Sequence, residues 1–106
     1  MKIALTGSTG FLGKELLRIL NDKKFDVECY NLRSTEKINI FLNDISKVKY
    51  NVIINSAASI NPTTKNDFYI NKYLPRNIVS NIKDLNLTKF IHISSINVKN
   101  PMLNDP

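Results

Sequence analysis

Three glycines near the start of the chain have a spacing that could bind a phosphate group. Gly7, Gly10 and Gly13 follow a short apolar segment, Met1–Leu5, that reads as a buried strand. An amphipathic helical segment, Lys14–Leu20, comes next. A strand that enters a glycine turn and opens a helix is typical of dinucleotide binding, because the helix N-terminus offers N–H groups and a positive dipole end to phosphate. The alternative is a glycine-rich turn without a ligand.

Each glycine of this turn has its own expected role. Gly7 lets the chain reverse where a Cβ atom would clash. Gly10 lets the backbone approach a pyrophosphate, and Gly13 lets the helix pack closely on the strand. The spacing is G-x-x-G-x-x-G, which differs from the G-x-G-x-x-G of many dinucleotide-binding proteins.

The turn resembles that of the extended short-chain dehydrogenase/reductase family, which includes the NAD-dependent epimerases and dehydratases. Residues 6–13 read T-G-S-T-G-F-L-G, and the family's usual form is T-G-x-x-G-F-[IL]-G. The resemblance implies an α/β fold with a Rossmann-type doubly wound parallel sheet and a bound dinucleotide. It assigns cofactor contacts to Gly7, Thr9, Gly10, Phe11, Leu12 and Gly13.

Apolar periodicity predicts the remaining elements. Their order is β-α-β-β-α-β-α-β, which favours a parallel sheet of about five strands, incomplete at its C-terminal side. One helix is missing between the second and third strands, and the long helix is expected to bend at Pro75. The predicted elements after the first helix are strand Phe25–Asn31, a short strand at Ile38 and Ile40, helix Phe41–Lys49, strand Asn51–Asn55, helix Lys65–Asp84 and strand Lys89–Ile93.

Length, charge and cysteine content limit the class of protein. With 106 residues, we expect one dinucleotide-binding unit over residues 1–96 and an irregular tail over 97–106. The net charge of +6 comes from scattered lysines, so we predict no nucleic-acid partner. Cys29 is the only cysteine, and we interpret it and His92 as packed residues. With no membrane-spanning run or signal peptide expected, we predict a cytoplasmic protein without membrane or metal sites.

The resemblance extends to two later segments. Residues 51–59 are similar to the family's fourth strand, where Ser56, Ala57 and Ala58 would let the cofactor lie against the backbone. A tight strand-to-loop turn explains the same small residues equally well. Residues 69–79 resemble the following helix, with Asn71 at the family's asparagine, although a solvated asparagine is the alternative. The glycine that the family has further along is replaced by Leu74, and the local pattern is most similar to the dTDP-dehydrorhamnose reductase branch.

A serine at the end of the last predicted strand could take part in catalysis. Residues 89–98 resemble the family's fifth strand, which places Ser95 at the catalytic serine or threonine. Its hydroxyl would hydrogen-bond the substrate carbonyl or alcohol and stabilise charge on that oxygen. Lys99 and Asn100 replace the usual aromatic residue and glycine, and a plain strand end is the alternative.

The end of the second strand bears on cofactor choice. An aspartate there would accept hydrogen bonds from the adenosine ribose and favour NAD. The residue is Asn31, and Arg33 could pair with a 2′-phosphate. These residues favour NADP over NAD, with an exposed loop arginine as the alternative. Asn39 and Ile40, at the end of the predicted third strand, are the expected adenine contacts.

The family's catalytic Tyr-x-x-x-Lys pair is absent from these 106 residues, because none of Tyr30, Tyr50, Tyr69 and Tyr73 has a lysine four positions later. We therefore expect the NAD(P)-binding N-terminal part of a nucleotide-sugar reductase, epimerase or dehydratase, inactive alone. The full-length relative would act on a small molecule, in this reading a nucleotide sugar. The alternative is a truncated, non-catalytic dinucleotide-binding module. Apolar surface left bare by the missing part would favour a homo-oligomer or marginal stability.

Overall fold

Strands and helices alternate along the chain in a computed structural model that describes residues 1–57 and 64–93. The predicted α/β class is confirmed, whereas the predicted tail, 97–106, lies outside the described residues. In order, the elements are β1 (Lys2–Thr6), α1 (Phe11–Asp22), β2 (Asp26–Tyr30), α2 (Thr35–Lys47), β3 (Val52–Asn55), α3 (Lys65–Lys72), α4 (Leu74–Asn81) and β4 (Lys89–His92).

The four strands form a parallel sheet in the order β2-β1-β3-β4. The chain moves from β1 to one side through α1, and then crosses to the other side of β1 through α2. The winding therefore reverses between β1 and β3. In open parallel sheets, ligands bind beside the carboxyl ends of the strands at such a reversal point.

Helices cover the two faces of the sheet unequally. On one face, α1 packs its leucines against Ile3, Leu5 and Ile54. On the other face, α2, α3 and α4 enclose the larger core, around Ala4 and Ile53. Alternate residues of the buried strands β1 and β3 thus enter different cores, which explains why both strands are nearly continuous apolar runs.

The predicted third strand, at Ile38 and Ile40, was wrong. Both residues lie on α2, which begins six residues before the predicted helix. Ile38, Phe41 and Ile45 are buried at helical spacing, while Ile40 is 52% exposed. The alternation of Ile38 with Ile40 is typical of a strand. Burial of Ile38 together with Phe41 and Ile45, three and seven positions later, stabilises a helix instead. A single helix, α2, therefore connects β2 directly to β3, and within the described residues the element that is absent is the predicted third strand.

The predicted long helix, Lys65–Asp84, is two helices separated at Tyr73. Proline has no N–H, and its ring clashes with the preceding turn, so a helix does not continue through it without distortion. Pro75 stands in the first turn of α4, where its missing donor costs nothing. The expected bend is therefore a break. Ile70, Leu74 and Ile78 still bury one common face across it.

Two residues expected to be packed are exposed. Cys29 lies on β2 and His92 on β4, which are the outer strands of the described sheet. Outer strands have a neighbour on one side only, so their side chains retain contact with solvent. Within residues 1–57 and 64–93, no helix is long and apolar enough to cross a membrane.

Candidate functional site

A cleft of about 430 Å³ opens at the carboxyl ends of β1, β2 and β3. Its size is in the range of small-molecule and cofactor sites. The glycine turn forms one wall, the loop after β2 forms a second, and the start of α3 forms a third. The lining residues are Gly7, Ser8, Thr9, Gly10, Tyr30, Asn31, Leu32, Arg33, Ser56, Ala57, Thr64, Asn66, Asp67 and Ile70.

The floor of the cleft is formed where β1 and β3 end side by side. Gly7 has a φ of +73°, which glycine adopts without steric cost. A Cβ atom on Gly7 would lie 2.7 Å from the carbonyl carbon of Ser56. The Ser56 hydroxyl donates to the Thr6 carbonyl over 2.7 Å. Gly7 is therefore required by the close approach of these two loops.

The other two glycines have different surroundings. A Cβ atom on Gly13 would lie 1.8 Å from the Gly7 carbonyl oxygen, which is far closer than two atoms that are not bonded to each other can approach. A Cβ atom on Gly10 would meet only that same oxygen, at an ordinary 3.5 Å. Gly10 also has a regular φ of −76°. Packing therefore explains Gly7 and Gly13, but it does not explain why residue 10 has no side chain.

The N-terminus of α1 is suited to an external anion. Gly10 is its N-cap and supplies no side-chain acceptor, and the first turn contains no acidic residue. In α2, by contrast, the Ser34 hydroxyl accepts from the Lys37 N–H. In α3, Thr64 and Asp67 form a reciprocal capping box. Helix α4 also begins without a side-chain cap, but it follows α3 directly and has Pro75 in its first turn. Helix α1 is therefore the uncapped start that faces the glycine turn.

The loop after β2 is held in place by two side-chain amides. Asn31 Oδ1 accepts from the Arg33 N–H over 2.9 Å, and Asn66 Nδ2 donates to the Leu32 carbonyl over 3.1 Å. Asn66 thereby ties the start of α3 to this loop. The Arg33 side chain is exposed at the cleft and forms no ion pair within the described parts of the chain. Its guanidinium is available to a bound anion.

A row of polar side chains crosses the sheet beneath the cleft. Thr6, Asn55 and His92 are register neighbours on β1, β3 and β4. The Thr6 hydroxyl donates to Asn55 Oδ1, and Asn55 Nδ2 lies 3.1 Å from His92 Nδ1. Thr6 and Asn55 are fully buried. Because the buried amide uses both of its ends, this row fixes the last residues of the strands that carry the cleft.

Tyr30 completes the row on β2 and lines the cleft. Its hydroxyl donates to Asp44 over 3.0 Å and lies 2.7 Å from the Tyr50 hydroxyl. Burial raises the pKa of Tyr30 far above its usual value, and the hydrogen bonds to Tyr50 and Asp44 raise it further. Burial also raises the pKa of Tyr50. Both phenols are therefore neutral structural groups at neutral pH.

The structure brings seven of the predicted contact residues together around the cleft. Six others do not line the cleft. Phe11, Leu12 and Gly13 form the first turn of α1, and Asn71 lies on α3 outside the cleft. Asn39 and Ile40 lie on α2 rather than at a strand end, so the reason for assigning them to adenine was wrong. Ala58 and Ser95 lie outside the described residues. The seven at the cleft are Gly7, Thr9, Gly10, Asn31, Arg33, Ser56 and Ala57.

Sequence reasoning missed the third wall of the cleft. Thr64, Asn66, Asp67 and Ile70 reach it from the start of α3, a long way along the chain from the glycine turn. One local signal was present, because threonine followed three positions later by aspartate indicates a helix start. Nothing in the local sequence indicates that this start contacts the loop after β2.

Two solved structures have folds similar to that of this chain. One is a short-chain dehydrogenase/reductase superfamily protein from Agrobacterium tumefaciens with bound NAD, at a TM-score of 0.68 and 17% identity. The alignment covers 90% of this chain and 33% of that protein. The other is the protein lin1944 from Listeria innocua, at a TM-score of 0.55 and 20% identity, covering 85% of this chain and 54% of that protein.

The sequence matches no family model and no curated protein. At these identities the two structures show only the fold of this chain, which is a Rossmann-like α/β fold with a parallel sheet. This chain spans about a third and about half of the two proteins' lengths.

Proposed function

We propose that this chain binds a nicotinamide dinucleotide in the cleft and is the dinucleotide-binding part of an oxidoreductase of the short-chain dehydrogenase/reductase type. The observation that carries the proposal is the open space at Gly10. A Cβ atom there would contact only one protein atom, and at an ordinary distance. A glycine that packing does not require, next to an uncapped helix start, fits the close approach of a pyrophosphate. The NAD in the similar Agrobacterium protein supports the same cofactor class.

In this proposal, different residues of the cleft contact different parts of the cofactor. The backbone at Gly10 and the first turn of α1 hold the pyrophosphate through N–H groups and the helix dipole. Ser56 and Ala57 present small side chains, so the cofactor can lie against the end of β3. When bound, the nicotinamide ring supplies hydride transfer. The chain's own contribution is to bind and orient the dinucleotide.

The cofactor in this proposal is NADP rather than NAD. Asn31 is neutral and its side-chain oxygen already accepts the Arg33 N–H. Arg33 is exposed at the cleft and could reach a 2′-phosphate. A charged hydrogen bond of this kind contributes about 1.5–3 kcal/mol when well formed. A carboxylate at position 31 would instead repel that phosphate.

For the complete protein we propose a nucleotide-sugar reductase, epimerase or dehydratase, with Ser95 as the hydroxyl that stabilises charge on the substrate oxygen. This rests on the resemblance of residues 6–13, 51–59 and 89–98 to the extended family. A non-catalytic dinucleotide-binding module is the second candidate, since the 106 residues contain no Tyr-x-x-x-Lys pair. The encoding DNA beyond Pro106 separates the two, because an enzyme requires a continuing frame with that pair.

Isothermal titration calorimetry of the purified chain tests the binding proposal. We expect NADPH to bind with one site per chain and NADH to bind at least tenfold more weakly. Adenosine 2′,5′-bisphosphate should compete with NADPH, since it carries the 2′-phosphate that Arg33 recognises. No heat of binding with either dinucleotide would overturn the proposal. Equal affinities would overturn the role of Arg33 alone.

A further inference from the structure

A second cleft, of about 450 Å³, lies between α2 and α3. Its apolar wall consists of Ile38, which is buried on α2, and of the aromatic rings of Phe68, Tyr69 and Tyr73. Phe68 is 57% exposed and Tyr73 is 46% exposed. Large rings with this much exposure next to a concave surface provide an apolar face that the described parts of the chain do not cover.

The aromatic rings are held by other side chains. The Tyr69 hydroxyl accepts from the Asn77 side-chain amide. The rings of Tyr69 and Tyr73 are 6.2 Å apart between centroids and tilted by 34°. The Lys72 ammonium lies 5.5 Å from the centroid of the Tyr73 ring. Because these contacts restrict both rings, the wall is organised before any ligand enters.

Polar groups occupy the rest of the cleft wall. Lys65 contributes an exposed ammonium, which forms no ion pair within residues 1–57 and 64–93. Asn39 contributes a side-chain amide from α2. We propose that this cleft is a second binding site, for a planar aromatic molecule that carries one acidic group. Its ring stacks on the aromatic wall, and its acid pairs with Lys65.

The second cleft is separate from the dinucleotide cleft in this proposal. The first cleft has its own apolar surface, from Leu32 and Ile70, and its own cation, Arg33. It is also large enough to hold the adenosine and phosphate part of a dinucleotide by itself. The two clefts share the wall residue Asn66. A ligand in the second cleft would therefore lie next to the dinucleotide and need not displace it.

The probe for the test is 1-anilinonaphthalene-8-sulfonate, an aromatic anion whose fluorescence rises in apolar sites. We expect one molecule to bind per folded chain. Phe68→Ala should weaken binding about three- to tenfold through the lost ring contact. Lys65→Gln should weaken it about two- to fivefold at low salt, with a smaller effect at high salt. Arg33→Gln, which removes the cation of the first cleft, should leave the probe bound as tightly as in the parent.

Matched variants elsewhere on the surface control for non-specific binding. Leu85→Ala removes an apolar side chain that is 58% exposed, close to the 57% of Phe68, and Lys23→Gln removes an exposed lysine at the end of α1. Both should leave the probe's affinity unchanged. Circular dichroism confirms that each variant is folded. Equal losses in these two control variants and in the α3 variants, or no loss with Phe68→Ala, would overturn the site. A loss of probe affinity with Arg33→Gln as large as the loss with Lys65→Gln would overturn the separation of the two clefts. These outcomes do not depend on whether NADPH itself binds.

Discussion

The backbone of Gly13 lies so close to the carbonyl oxygen of Gly7 that a Cβ atom on Gly13 would be only 1.8 Å from that oxygen. This contact joins the first turn of α1 to the end of β1. It fixes the helix in the position from which its N-terminus faces the cleft. The same turn leaves Gly10 without such a contact. This difference separates the structural role of Gly13 from the ligand-binding role that we propose for Gly10.

The first prediction concerns stability at these two glycines. Gly13→Ala should lower the free energy of unfolding by about 1–3 kcal/mol or more, because backbone atoms must move to admit the methyl group. Gly10→Ala should change it by less than about 1 kcal/mol, and toward greater stability, since the φ of residue 10 suits alanine. Urea denaturation of both variants measures this. Equal losses would contradict the proposed division of roles.

The second prediction concerns cofactor choice at the end of β2. In Asn31→Asp, the new carboxylate can still accept the Arg33 N–H, so the turn should persist. The charge should repel a 2′-phosphate and accept the ribose hydroxyls of NAD. We expect the preference for NADPH over NADH, measured by calorimetry, to fall at least tenfold or reverse. Arg33→Gln should weaken NADPH binding and leave NADH binding unchanged. If neither variant alters the ratio, these residues do not select the cofactor.

The third prediction concerns alkaline pH. The pKa of Tyr30 is raised in the folded state, so the fold favours the neutral phenol. That stabilisation is complete below the unfolded value of about 10 and is lost progressively as the pH rises above it. The parent chain should therefore lose more stability between pH 9 and 11 than Tyr30→Phe does. Urea denaturation across this range compares them, and parallel curves would show that Tyr30 is not the group responsible.

The fourth prediction concerns catalysis. The 106 residues lack the Tyr-x-x-x-Lys pair, and proton transfer by a positioned group contributes about 10²–10⁴-fold. We therefore expect no turnover of nucleotide sugars by this chain with NADPH, even though Ser95 is present. An NADPH absorbance assay tests reduction, and chromatography of the sugar products tests epimerisation and dehydration. Turnover that Ser95→Ala abolishes would require another proton donor among the residues present.

Local sequence patterns were enough to predict the elements that form the glycine turn. The turn between β1 and α1 and the buried strand β3 are each specified by neighbouring residues. Helix α2 was partly misassigned, because Ile38 and Ile40 alternate like a strand, while the longer spacing to Phe41 and Ile45 determines the helix. The sequence of that segment is compatible with a strand and with a helix, and burial of Ile38, Phe41 and Ile45 against the sheet favours the helix.

Contacts that join distant segments could not be read from local patterns. The hydrogen bond of Asn66 to the Leu32 carbonyl connects residues 34 positions apart. The row of Thr6, Asn55 and His92 depends on the register of three parallel strands. In both cases the sequence shows ordinary polar residues. Only the topology of the sheet brings Asn66 and Leu32 together at the cleft and forms the row beneath it.

The most direct test of the central claim is dinucleotide binding by Gly10→Val. The branched side chain would occupy the space assigned to the pyrophosphate, while its Cβ atom meets only the Gly7 carbonyl oxygen, at 3.5 Å. We predict that calorimetry detects no NADPH binding to this variant and that its thermal melting midpoint stays within a few degrees of the parent's. A variant that binds NADPH as tightly as the parent would contradict the account, because the glycine turn would then be structural and would not hold the phosphates.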